Sequence, residues 1–261
     1  MKFSVICVTL NPGEKLRETV SSVLGQTYKN IELIIKDGGS NDNSLDFLDS
    51  LKDARIKVVR EKDKSIYDGM NMAVREASGD YYIFLNSGDL FADDKVLAKV
   101  SSHIIAHTAN IVYGNLIRSE NDVVIPYPSA MKDFDLFRNV PCHQVCFYDK
   151  AMFMKRGYDL QYKVRSDYEH FLYCVYVLGA KLSHIDYPIA IYEGGGFSET
   201  KDNLAISKAE HKAVTKLYMG KKVIIYRLIM IITLQPLREK MASSKAFSGV
   251  YQKIKGMLYG R

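Results

Sequence analysis

The sequence predicts an α/β fold, a doubly wound and mostly parallel sheet followed by a basic helical C-terminal tail. Three observations predict it. Short apolar runs alternate with segments of helical periodicity along the first hundred residues, as expected for strands buried on both faces and joined by crossover helices. Those runs end in small polar loops of Gly, Asn, Ser and Asp, which right-handed crossovers gather at one edge of the sheet. Positive charge is concentrated after residue 200: residues 201–261 hold 13 Lys and Arg against 3 acidic residues, while residues 1–200 hold 23 against 27.

Phe3 to Val8 is a continuous apolar run, read as the first buried strand, and Thr9-Leu10-Asn11-Pro12-Gly13 breaks it. Leu16, Val20, Val23 and Leu24 then recur at the spacing of an amphipathic helix. Ile31 to Ile35 is the second strand, ending in Asp37-Gly38-Gly39-Ser40-Asn41-Asp42. Asn43 or Ser44 is expected to cap a helix through Leu45, Leu48 and Leu51, before a third strand at Ile56 to Val59. A charge-dense segment, Glu61 to Asn71, feeds a helix with Ala73, Val74 and Ala77. Next comes the central stretch, Tyr81 to Asp89, five apolar or aromatic residues and then Asn86-Ser87-Gly88-Asp89. A carboxylate beside a glycine at a strand's carboxyl end suits a divalent cation carrying phosphates, although the same residues also make ordinary turns. A helix through Val96 and Ile104, strands at Ile111 to Tyr113, Val145 to Tyr148 and Ile185 to Tyr192, and a helix opened by Arg165-Ser166-Asp167 complete the pattern. Asp167 stands where an N-cap or first-turn residue belongs, which the helix dipole favours.

Composition excludes several classes. Neither the G-x-G-x-x-G fingerprint nor the Walker loop follows the first strand. Cys7, Cys142, Cys146 and Cys174 make no Cys-x-x-Cys pair, and Cys142-His143 with Cys146 lacks the second ligand pair a structural zinc needs. With no secretory signal at the start of the chain, the thiols are expected to be reduced in the cytosol.

Three strand-end loops carry the polar clusters Thr9-Leu10-Asn11, Asp37-Gly38-Gly39-Ser40 and Asn86-Ser87-Gly88-Asp89. With Gln26-Thr27-Tyr28 and Asp63-Lys64-Ser65-Ile66-Tyr67-Asp68-Gly69-Met70-Asn71, they resemble the family 2 inverting glycosyltransferases of the GT-A fold, in particular bacterial surface-polysaccharide transferases of the colanic acid type. The resemblance spans residues 1–200, with 1–115 as the nucleotide-sugar half and 116–200 as the acceptor half, leaving 201–261 as the tail. It implies that Thr9, Asn11, Asp37 and Gly38 bind the nucleotide, and that the loop with Asp63, Tyr67 and Asp68 closes over the donor. It further implies that Asn86 meets the ribose, that His143 faces donor or acceptor, that Asp89 holds Mn²⁺ or Mg²⁺, and that Asp167 is the catalytic base. The Gly194-Gly195-Gly196-Phe197-Ser198 turn is expected near the acceptor. The chain departs from the family's acidic turn, because Asn86 and Gly88 replace carboxylates and leave Asp89 alone.

The expected reaction moves a sugar from a UDP- or GDP-sugar to a glycan or lipid-linked acceptor in surface polysaccharide synthesis. In the tail, an apolar run from Val223 to Leu234 broken by Arg227 is too short to span a bilayer and fits a helix lying on an anionic membrane. With the lipid-linked acceptor that the resemblance implies, a peripheral location at the inner face of the cell membrane is expected, the alternative being a C-terminal helix packed on the catalytic domain with its lysines in solvent. The tail's aromatics are scattered rather than arranged as a stacking platform, so nucleic acid is not an expected partner. Two alternatives stand beside this reading: a nucleotidyltransferase, which would want a Gly-rich basic phosphate loop, and a non-catalytic sugar-nucleotide-binding or membrane scaffold protein.

Overall fold

β1 (Phe3–Thr9) is the spine of the sheet, and every residue in it is buried. Its apolar side chains, including Phe3, Val5 and Ile6 at 0% exposure, each contribute roughly 1.5–3 kcal/mol by leaving water. β2 (Ile31–Asp37) pairs parallel with β1, and β3 (Ile56–Arg60) pairs parallel with β2 as a half-exposed edge strand. β4 (Tyr81–Phe84) pairs parallel with β1 on the other side and is wholly buried. The crossovers carry α1 (Lys15–Leu24), α2 (Asp46–Leu51) and α3 (Ile66–Arg75). This computed structural model describes residues 1–194 and 200–233.

The second half changes direction. β5 (Leu90–Phe91) and α4 (Val96–Ala106) lead to β6 (Ile111–Arg118) and β7 (Val123–Ile125). α5 (Asp133–Arg138), a 3-10 turn at His143–Val145, β8 (Cys146–Asp149), α6 (Ala151–Met154), α7 (Ser166–Tyr176) and β9 (Leu182–Tyr192) follow. The sheet order is β3-β2-β1-β4-β8-β6-β9-β5, with β7 beside β6. β8 inserts antiparallel between β4 and β6, and β9 runs parallel to β6. Thr9 pairs with Asp37, and Asp37 with Arg60, so the carboxyl ends of the first three strands finish level at one edge. The α/β sheet, parallel through its first four strands, bears out the expected fold.

Two local expectations are corrected. Neither Asn43 nor Ser44 caps α2: Ser44 Oγ donates to Asp42 Oδ1, and the helix starts on Leu45 without a side-chain cap. The charged segment turns helical at Ile66, where Ser65 accepts the N–H of Asp68, a cap worth about 1 kcal/mol. Asp167 lies in the first turn of α7, one of the two places expected for it, with Arg165 at the N-cap.

The chain divides into two compact units, Met1–Val214 and Thr215–Arg261. α8 (Lys201–Met219) crosses that division, and α9 (Lys222–Ile232) lies in the second unit. On α9, Ile224, Ile225, Leu228, Ile231 and Ile232 are all exposed. No helix among the described residues is long and apolar enough to cross a membrane.

Candidate active site

Hydrogen bonds join the loops after β1 and β2 into one rim. Asn11, in the left-handed region at φ 48°, donates its N–H to Ser40 Oγ (2.8 Å) and accepts the Asn41 N–H on Oδ1 (2.8 Å). Asp37 folds its own turn: Oδ1 accepts from the N–H groups of Gly39 (3.1 Å) and Ser40 (2.8 Å) and from Ser40 Oγ (2.7 Å). Gly38 N–H donates to the Thr9 carbonyl at 2.9 Å. Beneath the rim, the fully buried Lys36 ammonium donates to the carbonyls of Asp37 and Glu61 and to Asp63 Oδ2 at 2.8 Å. Asp63 therefore lies against Gly38, where a Cβ would come within 2.9 Å of its carboxylate. Asp68 serves the start of α3, accepting the Lys64 N–H at 2.9 Å.

Asp167 is held from three sides. Tyr67 donates its hydroxyl to Oδ1 at 2.9 Å, the Tyr168 N–H donates to the same oxygen at 2.8 Å, and His143 Nδ1 stands 3.3 Å from Oδ2. Burial alone would raise the Asp167 pKa, but the His143 and Tyr67 contacts outweigh it and hold the carboxyl below the usual range. The loop before α7 is fixed from α8, where the Glu210 carboxylate accepts the N–H groups of Lys163 (2.7 Å), Val164 (2.9 Å) and Arg165 (2.8 Å).

Asp89, at 6% exposure, is the opposite case. Burial pushes its carboxyl up from an ordinary 3.8 to about 6, against weaker lowering by His143 and by the Gln144 amide, whose Nε2 donates to Oδ2 at 3.2 Å. Asn86 links the two regions, accepting the Val8 N–H on Oδ1 (3.3 Å) while Nδ2 faces His143 Nε2 (3.4 Å).

A cavity of ≈ 360 Å³ is lined by Thr9, Asn11, Tyr67, Asn86, Asp89, His143 and Asp167. Asp37, Gly38, Asp63 and Asp68 lie outside its wall. A second cavity of ≈ 480 Å³ is lined on its far side by Tyr127, Tyr168, Arg118 and Arg165. The two share His143, Gln144, Val164, Asp167 and Tyr192. Sequence reasoning missed Lys15 and Glu193 as members of the first wall, which also holds Gln144 beside His143. Glu193 had a usable signal, since it too is a carboxylate beside a glycine at the end of a strand. Most of the expected Gly194–Ser198 turn lies outside the described residues.

The chemistry fits a hard divalent cation with diphosphate oxygens. Asp89 is a buried carboxylate with neutral donors, and Thr9 Oγ1, Ser87 Oγ and Gln144 Oε1 are buried without a hydrogen-bond partner among the described residues. No group of three or more His, Cys, Asp or Glu that could hold a metal occurs among those residues, so phosphate and water oxygens would complete the shell. All four cysteines are free thiols.

Residues 4–162 match the family described as Glycosyl transferase family 2. The chain belongs to that family. This family 2 glycosyltransferase is 34% identical over 208 residues to a PGL/p-HBAD biosynthesis glycosyltransferase of Mycobacterium bovis, covering 76% of this chain and 79% of the relative. It is 32% identical over 115 residues to glycosyltransferase GlyG of Streptococcus pneumoniae, covering 43% of this chain and 38% of GlyG. Its fold is similar to that of S. aureus TarS 1-349, with TM-score 0.66 at 16% identity over 87% of this chain and 68% of TarS. It is also similar to the mannosyltransferase PcManGT of Pyrobaculum calidifontis, solved with GDP-Man and Mn²⁺, with TM-score 0.64 at 12% identity over 100% and 88% of the two chains. Family membership sets the nucleotidyltransferase alternative aside, and the GT-A fold stands.

Proposed function

We propose that this glycosyltransferase works with inversion, moving one sugar from a UDP- or GDP-sugar to a glycan or lipid-linked acceptor of surface polysaccharide synthesis. The observation that carries the proposal is the Asp167 carboxylate, ionised and sited where the two cavities meet. The donor occupies the first cavity and the acceptor enters from the second. Asp167 takes the proton of the acceptor hydroxyl as that oxygen bonds to the anomeric carbon, and the bond to the diphosphate breaks on the opposite face. Asp89 would hold Mn²⁺ or Mg²⁺, which would supply charge neutralisation on the departing diphosphate. Tyr67 and His143 keep the base oriented, and the rim around Thr9, Asn11 and Asp37 binds the nucleotide. TarS with UDP-GlcNAc and PcManGT with GDP-Man and Mn²⁺ support the donor class and the cation.

The exposed apolar residues of α9 recur at helical spacing beside Lys221, Lys222 and Arg227. They support docking on an anionic membrane at the cytoplasmic face, where a lipid-linked acceptor would be found. Flotation of the protein with anionic but not with neutral vesicles is the expected result.

The stereochemical proposal is tested by incubating the enzyme with UDP- and GDP-sugars and a lipid-linked acceptor fraction, and reading the new anomeric proton by NMR. An α-linked donor should give a β-linked product. Retention of the α configuration would rule out single displacement, and absence of any transfer that Asp167→Asn could abolish would favour the non-catalytic alternative.

A further inference from the structure

Gly88 and Glu193 occupy one space. A Cβ built on Gly88, whose φ is +100°, would lie 2.6 Å from Glu193 Oε2. The absence of a side chain at position 88 is thus what admits the Glu193 carboxylate, delivered from the end of β9, over the turn that carries Asp89. The Glu193 N–H donates to the Asp89 carboxylate, so the two acidic residues are also joined through backbone. Glu193 Oε2 is held by Lys15 Nζ at 2.7 Å, with the two side chains 56% and 46% exposed for Lys15 and Glu193 respectively. A half-exposed ion pair of this kind is weak and readily exchanged.

An independent observation at the same wall points to a ligand. Gln144 Oε1 and Thr9 Oγ1 belong to residues only 5% exposed, line the cavity with Asp89 and Glu193, and have no hydrogen-bond partner among the described residues. The Gln144 amide nitrogen is already on Asp89. These oxygens therefore face a space built to receive something polar rather than an apolar filler.

We propose that Glu193 is the second carboxylate ligand of the divalent cation, replacing the acidic side chain absent at position 88, and that Lys15 occupies its carboxylate until the cation binds. The inference rests on the cation reading of Asp89 given above and extends it to a residue on another strand. Two carboxylates with diphosphate and water oxygens make a sufficient hard-cation site.

The test is Mn²⁺ binding to the full chain, followed by the EPR signal of free Mn²⁺ at saturating UDP, with UDP binding in EDTA measured separately. Glu193→Gln should weaken Mn²⁺ by about tenfold or more without weakening UDP binding in EDTA. Gly88→Ala, which displaces Glu193, should weaken Mn²⁺ similarly. Lys15→Met should tighten it a few-fold, because no ammonium has to be displaced. If Glu193→Gln binds Mn²⁺ as the parent does while Asp89→Asn does not, Glu193 is not a ligand and the proposal fails. If Lys15→Met weakens Mn²⁺, the exchange with Lys15 is wrong. Wild-type UDP binding without any Mn²⁺ binding would overturn the cation site and spare the donor pocket, whereas loss of both would overturn the donor reading itself.

Discussion

Nδ1 of His143 lies 3.3 Å from Oδ2 of Asp167, and the neighbours of His143 decide which nitrogen carries the proton. Asn86 Oδ1 faces the Val8 N–H, which fixes the amide with Nδ2 toward His143 Nε2. An amide nitrogen only donates, so Nε2 accepts and Nδ1–H donates to Asp167. Asn86 thus orients the ring so that Nδ1 faces Asp167.

Removing that donor should move the base. His143→Phe keeps a flat ring but loses the hydrogen bond, so the Asp167 pKa rises toward or above its ordinary value. The acid limb of the kcat/KM profile should shift to higher pH. A profile superimposable on the parent's would show that His143 does not tune Asp167.

Asp167→Asn should lower turnover by about 100- to 10,000-fold, the range for loss of a general base. Donor binding, measured by calorimetry, should persist. Loss of both would mark Asp167 as a donor-site residue.

Asp89→Asn should raise stability in EDTA at neutral pH. The folded carboxyl titrates at about 6 against 3.8 when unperturbed. Its folded pKa is raised, so its contribution is fully present below 3.8 and is lost as pH climbs through about 6. At pH 7.5 the amide should gain on the order of 1–3 kcal/mol over the buried anion, and near pH 4 the advantage should vanish. Thermal midpoints at the two pH values check this. Saturating UDP with Mn²⁺ should then stabilise the parent but not the variant.

Asp63→Ala should destabilise the fold by about 3–5 kcal/mol, because it strands the Lys36 ammonium in the core. Lys36→Met combined with Asp63→Leu should recover much of that loss in urea unfolding. Equal losses in the single and double variants would mean the pair contributes through packing alone.

The parallel half of the fold was legible because β1, β2 and β4 are buried on both faces and so read as unbroken apolar runs. β5 and β7 were not, being two and three residues long. Thr9, Asn11, Asn86 and Asp89 could be read as one cluster since parallel strands put their carboxyl ends at one edge. Glu193 carried the same local signal but could not be joined to that cluster, because it arrives through the antiparallel pairing of β9 with the two-residue β5, Leu90 opposite Ile191, which no local pattern encodes. Asp68 shows how one motif carries two readings: it resembles ligand chemistry, and its side chain also accepts the Lys64 amide at the start of a helix.

The wall shared by the two cavities has a further consequence. On the proposed reading, water can take the place of the attacking hydroxyl beside the Asp167 carboxylate until an acceptor fills the second cavity. Water is small enough to reach the anomeric carbon by that route, so a donor bound alone faces slow hydrolysis to free sugar and nucleotide. The rate of that leak, measured without acceptor, reports how open the site is to water on this reading, and an acceptor analogue that cannot react should stop it.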